Sequence, residues 1–122
     1  MVPLHLSSCL FATIVVHAYY RRVEGYHHIF LVLTLSSILF HTTHHELARR
    51  VDKLIAHISF IMVVMDTPKA VAAHTEWLLT FPFVAACAWF GQSIFSSKKE
   101  MLHFCLHLVG VVGMHVYLWV LY

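Results

Sequence analysis

Charge is what this chain has least of. Asp, Glu, Lys and Arg make up 11% of its 122 residues, against about 25% in an average soluble domain. So apolar a chain is not a disordered one, because disorder needs low hydrophobicity and high charge. Eight Lys+Arg against six Asp+Glu is close to balance, with no polybasic tract, which excludes a nucleic-acid binder. Cysteine is scarce too. Cys9, Cys87 and Cys105 each stand alone in an apolar run with no C-x-x-C pair, which excludes a disulfide scaffold. They are expected to be small buried hydrophobes, and they point to no redox compartment. The first residues lack a basic n-region, and no small-residue cleavage site follows the first apolar run. Residues 4–20 therefore read as a retained first helix, not a cleaved signal.

What is present is apolar: 60% of the residues are hydrophobic and the mean hydropathy is +0.75. A bilayer crossing takes about 20 apolar residues, so five crossings use roughly 100 and leave about 22 for loops. Five apolar runs are visible, at about 4–20, 26–43, 52–65, 77–95 and 101–122. Pro82 lies inside the fourth and is expected to kink it. Residues 70–76 form a small-residue connector. Tyr19, Tyr20, Tyr26, Trp77, Trp119 and Tyr122 lie near run ends, as interfacial aromatics do. The expected fold is all-α: a polytopic membrane bundle of about five transmembrane helices, one domain over 1–122, integral and multi-pass. Helix alternation puts Arg49, Arg50, Lys53, Lys98 and Lys99 on the side of the N-terminus, which favours an inner N-terminus.

Histidine is the excess. Twelve are present, roughly four times average usage. A polar side chain inside a span is costly and is a functional hypothesis by default. His103 and His107, four apart, share one face of the fifth helix. Ser37 and His41, also four apart, share a face of the second. Alternation brings the end of the second helix, the start of the third with Asp52, and the start of the fifth to one membrane face. Three His with an open fourth position describe a catalytic zinc site, where bound water ionises near neutral pH. The expected roles follow. His41, His103 and His107 are ligands of one zinc ion, Asp52 is base or orienter, and Ser37 is hydrogen-bonding partner. The substrate is reached from lipid or the interface, so a lipid amide or ester is the natural candidate. His44 and His45 could replace His41 but are expected at the surface. His57 and His74 are expected in interfacial or inter-helix hydrogen bonds. His17, His27, His28 and His115 lie toward the opposite face, where two facing His could ligate a haem.

The same residues resemble a known superfamily. Ser37-Ile38-Leu39-Phe40-His41 is similar to the second-helix S-x-x-F-H motif of alkaline ceramidases and adiponectin-receptor-like proteins. Asp52, eleven residues on, and His103-x-x-x-His107 before Gly110 follow in that superfamily's order. The resemblance covers about 40 residues. It implies a membrane hydrolase with zinc on His41, His103 and His107, and with Ser37 and Asp52 beside the metal. Members have seven helices, two more than the runs counted here. The alternative reading is a non-catalytic structural subunit of a larger membrane complex, retaining the zinc or a bound lipid. Its motivation is the loss of pocket wall and the gain of free helical surface. Membrane lipids are the expected partners, other membrane subunits the alternative.

Overall fold

The computed structural model describes residues 4–122, with side chains from Leu6 onward; the leading Met-Val-Pro read for a leader lies outside them. The chain is all-α, with no strand among the described residues. Its helices are α1 (Leu4–Cys9), α2 (Phe11–Tyr20), α3 (Glu24–Thr43), α4 (Glu46–Met65), α5 (Thr67–Ala72), α6 (Thr80–Ile94) and α7 (Lys99–Leu121). Short 3-10 turns, Glu76–Leu79 and Ser96–Lys98, lead into α6 and α7. Helices α1 and α2 form one run. Leu10 between them keeps right-handed helical angles, and i to i+3 bonds, Leu10 N–H to Ser7 C=O and Thr13 N–H to Leu10 C=O, tighten the join. Five helical runs therefore stand where five apolar runs were read.

The third run starts earlier than the expected 52. Helix α4 opens at Glu46, where the His45 ring accepts the Leu47 N–H at 3.1 Å. Glu46 then pairs with Arg49 and Arg50, three and four residues on, as neighbours on a helix do. A stretch that hydropathy reads as a polar break is thus an amphipathic helix start. Asp52 lies in its second turn and is buried, not at a cap. The connector is partly helical, as α5, with Pro68 in the first turn. Pro82 also sits in a first turn, that of α6. Its missing N–H is an orphan there anyway, so the break falls at the 3-10 junction before it.

Helices α2 and α3, α3 and α4, and α6 and α7 pack as successive antiparallel hairpins, and the α1–α2 run lies between α3 and α7. The core unites Phe11 and Ile14 of α2, Phe30 and Leu33 of α3, and Met114 and Leu118 of α7. Gly113 lets α7 approach α6. A Cβ there would stand 2.8 Å from Phe81 Cβ and 2.9 Å from Phe81 Cγ. These atoms sit next to the α6 backbone and cannot swing away. Gly113→Ala should destabilise the fold by about 1–3 kcal/mol, read as a lower thermal midpoint in detergent. Gly110→Ala is the control. Its Cβ would meet only Phe11 Cε1 at an ordinary 3.8 Å, and the midpoint should hold or rise.

The outward faces are apolar, with Leu35, Leu54, Phe83, Phe90 and Trp119 more than half exposed. The segments Glu46–Ala72, Glu76–Ile94 and Ser96–Leu121 are long and apolar enough to cross a membrane. Helix α3 is as long as α4 but is not among them, because His27, His28, Thr34, Ser36, Ser37 and His41 dilute it. All three cysteines are exposed, which corrects the expectation of burial. They project from the outer helix faces, where a thiol is as compatible with an apolar surround as in a core. Tyr26 is a second correction. It is buried, and its hydroxyl donates to Asp66 Oδ2 at 2.5 Å, as does that of Tyr122 at 2.8 Å. This carboxylate staples α3 to the end of α7, at the opposite end of the bundle from His41.

Candidate metal centre

Two helices carry the candidate site. His41 closes the last turn of α3, and His103 and His107 occupy successive turns near the start of α7. Because α3 and α7 run antiparallel to their own hairpin partners, the C-terminal end of one meets the N-terminal end of the other. The three rings stand edge to face. Centroids are 4.7 Å apart for His103–His107, 5.1 Å for His41–His103 and 5.4 Å for His41–His107. One nitrogen from each lies within 4.8 Å of the others, close enough to hold a metal ion. Nitrogens on a tetrahedral zinc, at ~2.0–2.1 Å from it, are roughly 3.3 Å apart. Modest ring rotations close the difference.

The surroundings bear on whether a cation fits. His103 Nδ1 lies 3.2 Å from Gln92 Oε1 of α6. An amide oxygen only accepts, so Nδ1 carries the proton and Nε2 carries the lone pair. That Nε2 is buried without a hydrogen-bond partner, a costly state that a bound cation relieves. His107, 4% exposed, has its Nδ1 2.7 Å from Ser7 Oγ of α1, and Phe11 abuts its ring edge-on. Both rings thus have an outer partner on one nitrogen, the arrangement that orients metal-ligating imidazoles. The donor set, three neutral imidazole nitrogens, suits zinc. The residues present fit the ion.

Asp52 and Ser37 lie beside this group rather than in it. Asp52 is not one of the side chains within ligand distance. It is buried with the Ser36 and Ser37 hydroxyls of α3 as its polar neighbours, and its Oδ1 has no hydrogen-bond partner. Ser37, one turn before His41, is 1% exposed and shares a 2.7 Å hydrogen bond with Ser8 of α1. The predicted residues therefore converge at one end of the bundle, with the three His in one cluster and the Ser–Asp pair next to it. Sequence reasoning missed Ser7, Ser8 and Gln92. The signal for Gln92 was there: it is the chain's only glutamine, inside an apolar run, and such a residue calls for a partner.

The remaining His divide as follows. His44 and His45 are exposed. His44 has a left-handed backbone at the C-cap of α3, and His45 caps α4, so neither replaces His41. His57 bonds the Lys53 carbonyl of its own helix at 2.6 Å and meets Trp89 edge-on. His74 is exposed with a left-handed backbone. His17 and His115 do face each other, but Nδ1 to Nδ1 at 2.9 Å with the rings stacked. They bond directly and leave no gap for a macrocycle between them.

The fold and site thus define an all-α bundle with a three-histidine cluster at one end. No family model matches the chain, and neither a curated protein nor a solved structure gives a match.

Proposed function

We propose that the chain is a multi-pass membrane protein and a zinc-dependent hydrolase of a lipid amide or ester, organised like the alkaline-ceramidase and adiponectin-receptor-like superfamily it resembles. The observation that carries this reading is the His41–His103–His107 cluster with the buried Asp52–Ser37 pair beside it. The apolar outer faces and the three long apolar segments support the membrane setting. In lipid, those faces meet the solvent they match.

His41, His103 and His107 would hold the ion, with Gln92 and Ser7 fixing the ring planes of the latter two. When bound, zinc supplies a Lewis acid that polarises the substrate carbonyl and makes a water nucleophilic at neutral pH. Asp52 takes the proton of the attacking water at Oδ1, its unpartnered oxygen, and returns it to the leaving amine or alcohol. Ser37, fixed by Ser8, holds the carboxylate in place. Burial keeps bulk water from competing.

The test is release of fatty acid from fluorescent lipid amides and esters by the detergent-purified chain, with and without a zinc chelator. The reading expects turnover that the chelator abolishes and added zinc restores. Turnover indifferent to chelation contradicts it.

A further inference from the structure

The rim of the cluster carries two lysines that the proposed chemistry does not use. Lys99 sits one helical turn before His103 on the same face of α7. Lys53 lies across the site on α4, its Nζ 5.9 Å from the ring of Trp89 on α6. Trp89 and Gln92 are three apart and share a face of α6, and Gln92 reaches His103 at 3.2 Å. Lys53, Trp89, Gln92, His103 and Lys99 therefore follow one another around the cluster.

Neither lysine has an acidic partner within ion-pair distance among the described residues. The ion pairs there are both on Glu46, which takes Arg49 and Arg50. Glu100 follows Lys99 directly and so projects away from it around α7, three residues before His103. A third donor is present as well. Gln92, 9% exposed, uses its amide oxygen on His103, while Nε2 of the same amide is buried with no partner. Two ammonium groups outside any ion pair among the described residues and an unsatisfied buried amide N–H therefore line the rim of the site, on the side away from Asp52. Donors of this kind call for a phosphate or carboxylate.

We infer that the substrate of this site is a lipid with an anionic headgroup, its phosphate or carboxylate gripped by Lys53 and Lys99 beside the His cluster. This deepens the proposed hydrolase reading and rests on it for the fate of the lipid. Lys53 lies in the second turn of α4 and Lys99 opens α7, so both long side chains can snorkel to headgroup level, with the scissile amide or ester one step deeper against the His.

The experiment is competition between dioleoylphosphatidic acid and dioleoylglycerol for the detergent-purified full chain, read by native mass spectrometry. The two lipids share tails and differ in the phosphate. The expected result is roughly ten-fold preferential retention of phosphatidic acid, from two cations near the membrane surface. Lys53→Gln/Lys99→Gln should lose that preference. Lys53→Arg/Lys99→Arg should keep it, and so should Arg21→Gln/Lys69→Gln, which removes two charges at the other end. Equal retention of the two lipids overturns the inference, as does an unchanged preference in the Lys53→Gln/Lys99→Gln chain. Displacement of the lipid by free inorganic phosphate also overturns it, by assigning the site to a soluble anion. Zinc content measured on the same samples separates the two readings. A selective chain without zinc contradicts the hydrolase alone, and a zinc-loaded, unselective chain contradicts the headgroup site alone.

Discussion

His107→Ala should abolish both zinc retention and hydrolysis. His107 is the most buried of the three rings and the one tied to α1 through Ser7. Its removal takes away one nitrogen ligand, and two imidazoles do not make a structural or catalytic zinc site. The substitution also opens space beside Phe11 and costs stability on that account. His107→Gln is therefore the companion variant, since it keeps volume and a polar group near Ser7. Both variants should keep helical circular dichroism, bind less than one-tenth of a zinc equivalent (about 1.4 kcal/mol or more of lost affinity) and show no turnover above background. Full activity in a chain that has lost its metal would contradict the zinc mechanism.

Asp52→Asn has a different signature. The carboxylate stands outside the ligand group and against Ser37 and Ser36, so zinc should stay at one ion per chain. The polar neighbours of Asp52 are the Ser36 and Ser37 hydroxyls, which can donate to an amide oxygen as well as to a carboxylate, so the fold should be retained. What is lost is the proton acceptor. General acid–base catalysis contributes on the order of 10²–10⁴-fold, and kcat should fall within that range while KM changes little. A lost zinc ion would instead make Asp52 a ligand or a structural brace. Unchanged turnover would remove it from the reaction.

Much of this arrangement was legible before any coordinates, for a definite reason. Apolar runs separated by charged breaks leave few alternatives to a row of helices. Alternating direction then brings His41, His103 and His107 to one end without knowledge of packing. What the sequence could not supply was which helix lies beside which. Ser7 reaches His107 across 100 positions because α1 packs against α7, and no spacing rule contains that. Gln92 could be flagged as costly in an apolar run, but its partner follows only from the α6–α7 hairpin. The start of α4 was misplaced because hydropathy cannot distinguish a polar loop from an amphipathic turn closed by Glu46 with Arg49 and Arg50. The cysteines were misplaced because apolar composition does not say which face of a helix turns inward when the surround is itself apolar.

The central claim is that the three His hold a metal, and the direct measurement is elemental analysis of the detergent-purified chain beside His103→Ala. His103 is the suitable probe, because its unpartnered Nε2 is the clearest vacancy for a ligand bond. The account predicts about one zinc per chain, lost in the variant while the helical content stays. A folded wild-type chain without zinc would contradict it.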